Sequence, residues 1–560
     1  MAGAAGEWRM RRRALAFPHS FVCAPQLRKG ATVLALEMVV ILGVTILICT
    51  VVARRARIAP PILLLVCGVL LGFIPALRGV QLPPEAVLLL FLPALLYWES
   101  ITTSLREIRK NLRGIMLMST LLVIVTAAAV AVVAHQLGLA WGPAWVLGAA
   151  VAPTDATAVA ALTKSLPRRN VTLLRAESLV NDGTALVLYS IAVAVTVGEI
   201  TLSPGYLAGS LALSYGGGAV AGALVAGLVI LLRRRTGDAL TENIVIVLTP
   251  FAAFLVADLI GASGVLAVVV AGLIMSQAGP RVGRADSRQI SESFWGLSTF
   301  LLNASLFVLV GIEVQAAVRG LSMSQLGAGL LAVVVVSVLL VAVRFAFLFG
   351  SAYLLRLVDR RPSQRARRLT HGARVISGMS GFRGAVSLAA ALAVPRTVAS
   401  GAPFPDRDMI VFVTTGVIVV LLVIPGLLLP AIVRWANLPT DTSVDTERRL
   451  AEVYANEKAL EALPELGRES GATDDVIERL RTEYSDHLDV LRAEPDEAEG
   501  TETLARHDHY SHLRLALIGR KRAAVVQLRD EGRIDDIVLR DIQDRLDIEE
   551  VRIVGRGHAE

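Results

Sequence analysis

Glu177-Ser178-Leu-Val-Asn181-Asp182 puts two carboxylates, an amide and a hydroxyl within six residues, just before the apolar run Ala185 to Val197. Residues at i, i+1, i+4 and i+5 share roughly one side of a helix. Glu177, Ser178, Asn181 and Asp182 can therefore converge on one cavity. Hydroxyl, amide and carboxylate oxygens suit a hard monovalent cation, and a carboxylate can also take a proton. A charge at the centre of a bilayer costs several kcal/mol, so carboxylates inside an apolar helix mark ion or proton pathways.

A second polar group lies one apolar segment earlier, at Pro153-Thr154-Asp155-Ala156. Pro153 removes a backbone donor and favours a break in the helix. A break frees carbonyls that can join Thr154 and Asp155 in holding a cation. The opposite charge lies in Ser377-Gly378-Met-Ser-Gly381-Phe-Arg383-Gly384, where three glycines and an arginine interrupt an apolar stretch. Arg383 is always protonated, so a buried Arg383 needs an anion. Glu177 is the expected partner, which leaves Asp182 as the group that titrates. A pair between Arg383 and Asp182 would instead weaken proton exchange near neutral pH.

The elements that position these groups are helices in a membrane. The 560 residues are 54% hydrophobic and 18% charged, with mean hydropathy +0.62. Crossing the hydrocarbon core takes about 20 apolar residues. Segmentation on that basis gives about thirteen spans, from 33–53 to 408–433. The fifth is 144–163, the sixth 172–197 and the twelfth 372–395. The expected fold is an all-α polytopic membrane protein built as two inverted six-helix repeats, with helices 5 and 12 interrupted and helix 7 as linker. Basic residues alternate between loops. Arg54, Arg55 and Arg57, then Arg106, Arg109 and Lys110, and so on to Arg360 through Arg368, lie in odd-numbered loops, whereas even loops carry few. The positive-inside rule then places odd loops and the C-terminus in the cytoplasm, and the localisation is the plasma membrane. Residues 1–37 break this rule with Arg9, Arg11, Arg12, Arg13, Arg28 and Lys29. They read as an extension preceding a translation start near Met38.

Residues 38–436 form the expected membrane domain, and 437–560 a soluble, cytoplasmic, regulatory helical tail. In the tail, Val476, Ile477, Leu480, Tyr484, Leu488 and Leu491 follow helical spacing, with Thr473 as N-cap. Glu494 to Glu502 reads as an exposed linker. Leu513 begins another helix, ended by Gly532, and Asp535 caps the next. His507, Asp508, His509 and His512 read as a solvated helix start. No tail ligand is identified. The three cysteines, Cys23, Cys49 and Cys67, have no metal-site spacing. No cofactor, resident metal, nucleic-acid partner or enzymatic centre is expected. Asp258, Asn303, Glu313 and Arg344 read as residues shaping the core or a dimer, and His135 as an interface residue.

Five motifs occur in order: Phe91-Leu-Pro-Ala-Leu-Leu-Tyr97, Pro153-Thr-Asp-Ala156, Glu177-Ser-Leu-Val-Asn-Asp-Gly183, Leu306-Phe-Val-Leu-Val-Gly-Ile-Glu313 and Arg383-Gly-Ala-Val-Ser-Leu388. From about Val39 to Trp435 the chain resembles sodium/proton antiporters of the NhaP/NHE branch of the monovalent cation:proton antiporters. The resemblance implies thirteen helices, a homodimer in the lipid membrane, and a core domain that moves against a dimerisation domain. Asp182 would bind Na+ (or Li+) and H+ alternately, with Thr154, Asp155 and Ser178 supporting the site and Glu177 and Arg383 forming a core ion pair. Asn181 before Asp182 resembles the electroneutral type. The chain departs from the pattern twice. Ala156 stands where the family usually has proline, and Trp98 precedes Glu99, which reads as a solvated acid at a loop end. Rival readings are a potassium/proton antiporter and a channel or sensor that uses the same fold without exchange.

Overall fold

The computed structural model describes residues 25–56, 59–74, 87–103, 105–155, 168–198, 204–358, 370–438, 443–493, 498–531, 533 and 536–557. Among these the regular structure is helical, joined by turns and short irregular segments, with one isolated bridge between Thr397 and Pro403. It divides into two compact units, Met1–Pro439 and Thr440–Glu560.

The first unit contains α1 (Pro25–Ala56), α2 (Pro60–Leu71), α3 (Leu92–Thr102, entered through a π-helical turn at Val87–Phe91), α4 (Leu105–Gln136) and α5 (Trp141–Val151). Next come α6 (Arg168–Val197), α7 (Pro204–Ala212), a second π-turn (Leu213–Gly217), α8 (Gly218–Arg233), α9 (Ala239–Leu259) and α10 (Gly264–Val282). The unit closes with α11 (Ala285–Arg319), α12 (Met323–Val358), α13 (His371–Met379), α14 (Ala385–Leu392) and α15 (Arg407–Ala436). Among the described residues, eight helices are long and apolar enough to cross a membrane, and four shorter apolar helices accompany them.

Lipid offers no partner for backbone N–H and C=O groups, so spanning segments must be helical except where protein buries them. The two interruptions obey this rule. Ala152, Pro153 and Thr154, after α5, and Ser380 to Gly384, between α13 and α14, are all buried. Ala156 lies outside the described residues, as does the second half of the fifth segment. Elsewhere the helices approach closely through small residues. A side chain at Gly68 of α2 would strike the Val308 carbonyl of α11, and one at Gly311 would strike the Leu65 carbonyl. Side-chain caps start several helices. Asp238 accepts from Thr241 N at 2.9 Å before α9, and Thr370 accepts from Ala373 N at 3.2 Å before α13.

The second unit contains α16 (Ser443–Glu469), α17 (Asp474–Arg492), α18 (Ala498–Asp530) and α19 (Asp536–Gly557). α16 packs on α17, and α18 on α19 around Ile518, Leu546 and Ile553. Arg522 joins Glu550 at 2.6 Å across the latter pair. Two tail expectations change. α18 starts at Ala498, inside the acidic stretch expected as linker, because alanine and glutamate are good helix formers. Leu513 and the histidines consequently fall in mid-helix, with His512 Nε2 3.5 Å from Asp508 on an exposed face. As expected, Thr473 takes the N-cap position of α17, with extended backbone and no side-chain cap bond. Gly532 and Asp535 lie outside the described residues.

Candidate ion-binding site

The two interruptions cross each other. The backbone N–H of Asp155 donates to the Phe382 carbonyl at 2.9 Å, so each unwound segment satisfies part of the other. Arg383 secures the crossing. Its Nε donates to the Val151 carbonyl, the last of α5, at 2.7 Å, and its Nη1 donates to the Gly381 carbonyl at 2.5 Å. The Arg383 guanidinium is thus held by carbonyls at and just beyond the C-terminal, negative ends of α5 and α13. Gly384 is required by close approach, since a side chain there would collide with the Asp155 carboxylate.

α6 lays its polar face against this crossing. The Ser178 hydroxyl donates to the Thr154 carbonyl at 2.8 Å, across from one element to the other. Asn181 is fully buried beside it. With its amide nitrogen toward the Ser119 and Glu177 carbonyls, each at 3.2 Å, its oxygen accepts from the Thr154 hydroxyl at 3.0 Å. The opposite orientation would let Asn181 Nδ2 donate to Thr154 but would leave its oxygen facing only other acceptors. The first orientation satisfies both ends of the amide.

Asp155, Asp182, Thr154 and Ser178 line one cavity of about 40 Å³. Asp182 is 5% exposed. Four of the five expected ion-site residues therefore share a single space, and Asn181 braces Thr154 from behind it. The cavity is large enough for a small cation with a water or two.

Two residues given minor parts by the sequence also line it. Glu99, expected in solvent, faces the cavity from α3, and its buried Oε1 has no hydrogen-bond partner among the described residues. The end of α3 is packed inside the bundle, which a single charged residue near a helix end does not reveal. Asn303 of α11 lines the same space. Asp258, by contrast, is exposed.

The expected ion pair between Glu177 and Arg383 is not formed. Glu177 Oε1 lies 2.7 Å from Nη1 of Arg344 on α12, and Arg344 Nε also donates to the Ser377 carbonyl at 3.0 Å. Arg344 and Arg383 flank Gly381, where a side chain would crowd both. With two guanidinium groups side by side, the carboxylate takes one and the helix-end carbonyls take the other. Arg344 carried a sequence signal, because a permanent charge inside an apolar run of thirty residues, 326–355, requires an anion.

Residues 43–435 match the family of transmembrane sodium/hydrogen exchangers. A Mycobacterium tuberculosis protein described as an uncharacterized Na+/H+ exchanger is 45% identical over 94% of this chain and 98% of its own length. A Bacillus pumilus protein named as a sodium, potassium, lithium and rubidium/H+ antiporter is 27% identical over 87% of this chain and 73% of its own. Among solved structures, the sodium proton antiporter MjNhaP1 of Methanocaldococcus jannaschii has a similar fold. Its TM-score is 0.54 at 18% identity, covering 72% of this chain and 99% of that one. A match to the family across most of the chain, together with a near full-length relative at 45% identity, establishes that this chain belongs to the sodium/hydrogen exchanger family.

Proposed function

We propose that the chain is an electroneutral sodium/proton antiporter. It exchanges Na+ (or Li+) for H+ by competitive binding at Asp182, with access alternating between the two sides of the membrane. The observation that carries this reading is the buried cavity at the crossing of two broken segments, lined by Asp182, Asp155, Glu99, Thr154 and Ser178. Oxygen donors of this kind replace the water around a hard cation. A carboxylate shut away from bulk water takes either a cation or a proton, and so is never carried across empty. Neutral Asn181 beside Asp182 supports a one-for-one exchange.

The wider setting follows the same reading. The membrane unit acts as a homodimer in the plasma membrane, with thirteen spans arranged as two inverted repeats. The tail lies in the cytoplasm and regulates exchange. The named cation range of the Bacillus pumilus relative keeps potassium as the second reading for the transported ion.

Reconstitution in liposomes with a trapped pH dye tests the proposal. Pulses of sodium or lithium should drive proton movement that persists when valinomycin and potassium clamp the voltage. Movement with potassium alone, in a separate experiment without the ionophore, would favour the second reading. Cation flux with no coupled proton movement would favour a channel.

A further inference from the structure

Thr184 lies two positions beyond Asp182 on α6 and is 1% exposed. Its hydroxyl meets the phenolic oxygen of Tyr215 at 2.5 Å and also donates to the Val180 carbonyl at 3.0 Å. With the threonine proton engaged by Val180, the phenol is the donor and Thr184 Oγ1 the acceptor.

Tyr215 sits at the centre of the π-turn Leu213–Gly217 that joins α7 to α8, and Gly216, Gly217 and Gly218 follow it. A π-turn inserts a residue into the helix and redirects the side chains around it. This turn is anchored on its far side. Ser263 N donates to the Ser214 carbonyl at 3.2 Å, and side chains added at Gly217 or Gly218 would press on Ala262 or the Ser263 carbonyl. α8 then packs on α9 and α10, while α6 packs chiefly on α4 and α5. The Tyr215–Thr184 bond therefore ties the helix that carries Asp182 to a different packing group. Leu179 and Leu186 of α6 also touch that group, but apolar contact has no direction and tolerates sliding. A short hydroxyl–hydroxyl bond does not.

We propose that Tyr215 is a positioning residue for exchange. Its phenol latches the site helix in the conformation described here, and the latch opens each time the site changes sides. The inference rests on the alternating-access reading above. A neutral hydrogen bond present in only one of two states biases their ratio by about three- to tenfold. The triple glycine after Tyr215 provides the local freedom for the turn to change shape on release.

Pulsed EPR distances between spin labels at Ser190→Cys on α6 and Leu224→Cys on α8 read the two populations directly. The background replaces Cys23, Cys49 and Cys67 with serine, and the protein is full length in nanodiscs. Wild type should give two populations. Tyr215→Phe should shift their ratio about three- to tenfold, Thr184→Val should shift it the same way, and the double variant should shift it no further. Thr184→Ser, which keeps the acceptor, should restore the wild-type ratio. Unchanged populations in a Tyr215→Phe protein that still exchanges would overturn the latch. So would additive shifts in the double variant. A single population in wild type under every cation and pH condition would overturn alternating access itself, and the latch with it.

Discussion

Glu177 Oε1 sits 2.7 Å from Arg344 Nη1, joining the helix that carries Asp182 to α12. The side chain of Arg344 is 4% exposed and that of Glu177 19%, so the pair is largely withdrawn from solvent. Removing one member of such a pair strands the other charge, at a cost of about 3–5 kcal/mol. Arg344→Gln and Glu177→Gln should each lower the thermal unfolding temperature and the folded yield. Asp182→Asn, which strands no cation, should leave both near wild type while abolishing exchange. Thermal-shift and size-exclusion profiles in one detergent separate the cases. Equal stability of Glu177→Gln and Asp182→Asn would contradict a structural role for the pair.

Arg383 makes a different prediction, because its partners are carbonyls rather than a carboxylate. Arg383→Met leaves the Val151 and Gly381 carbonyls buried without their donor, each at about 1–3 kcal/mol. Arg383→Lys keeps the charge but not the fork that reaches two carbonyls at once. Both variants should lose exchange, and Lys should retain more stability than Met. Equal melting temperatures for the two would show that charge at this crossing contributes nothing to the fold.

Gly384→Ala tests the crossing sterically. The added methyl group meets the Asp155 carboxylate and must displace it. Apparent sodium affinity should fall about tenfold to a hundredfold, since misplacement by about 1 Å in a preorganised site can cost about a hundredfold. Folding should be largely kept. Sodium-dependent dye traces at several concentrations give the affinity, and a variant with wild-type affinity would mean that Asp155 is not held in place by this contact.

Glu99→Gln removes a carboxylate from the cavity wall while keeping its shape. One carboxylate oxygen fewer for the cation should raise the apparent KM for sodium severalfold with a smaller change in maximal rate. A KM identical to wild type would return Glu99 to the role of bystander.

The membrane architecture was legible because apolar length and carboxylates inside apolar runs are properties of single segments. Asp182, Ser178 and Asn181 could be grouped by helical spacing alone, and the glycines around Arg383 signalled the interruption between α13 and α14. Pairings were harder to read. Arg344 and Arg383 are equally permanent charges, and sequence carries no distance from which to decide which one meets Glu177. Glu99 was misplaced for a related reason: a helix end inside a bundle and one in solvent have the same local composition. The π-turn at Tyr215 had no local signal beyond its glycines, since an inserted residue in a helix is set by what packs against it. In the tail, Ala498 to Glu502 is acidic enough to resemble a linker, yet its helix propensity prevails.

In the proposed mechanism sodium and protons compete for Asp182. The most direct test is the apparent KM for sodium measured from pH 8 down to pH 5 in proteoliposomes with known internal and external pH. Competition at one carboxylate makes KM rise by up to roughly tenfold per unit on the acid side while maximal rate at saturating sodium holds steady. Transport at fixed sodium then falls as pH falls, and Asp182→Asn shows no transport at any pH. A maximal rate that collapses with KM unchanged, or transport that keeps rising down to pH 5, would contradict the account.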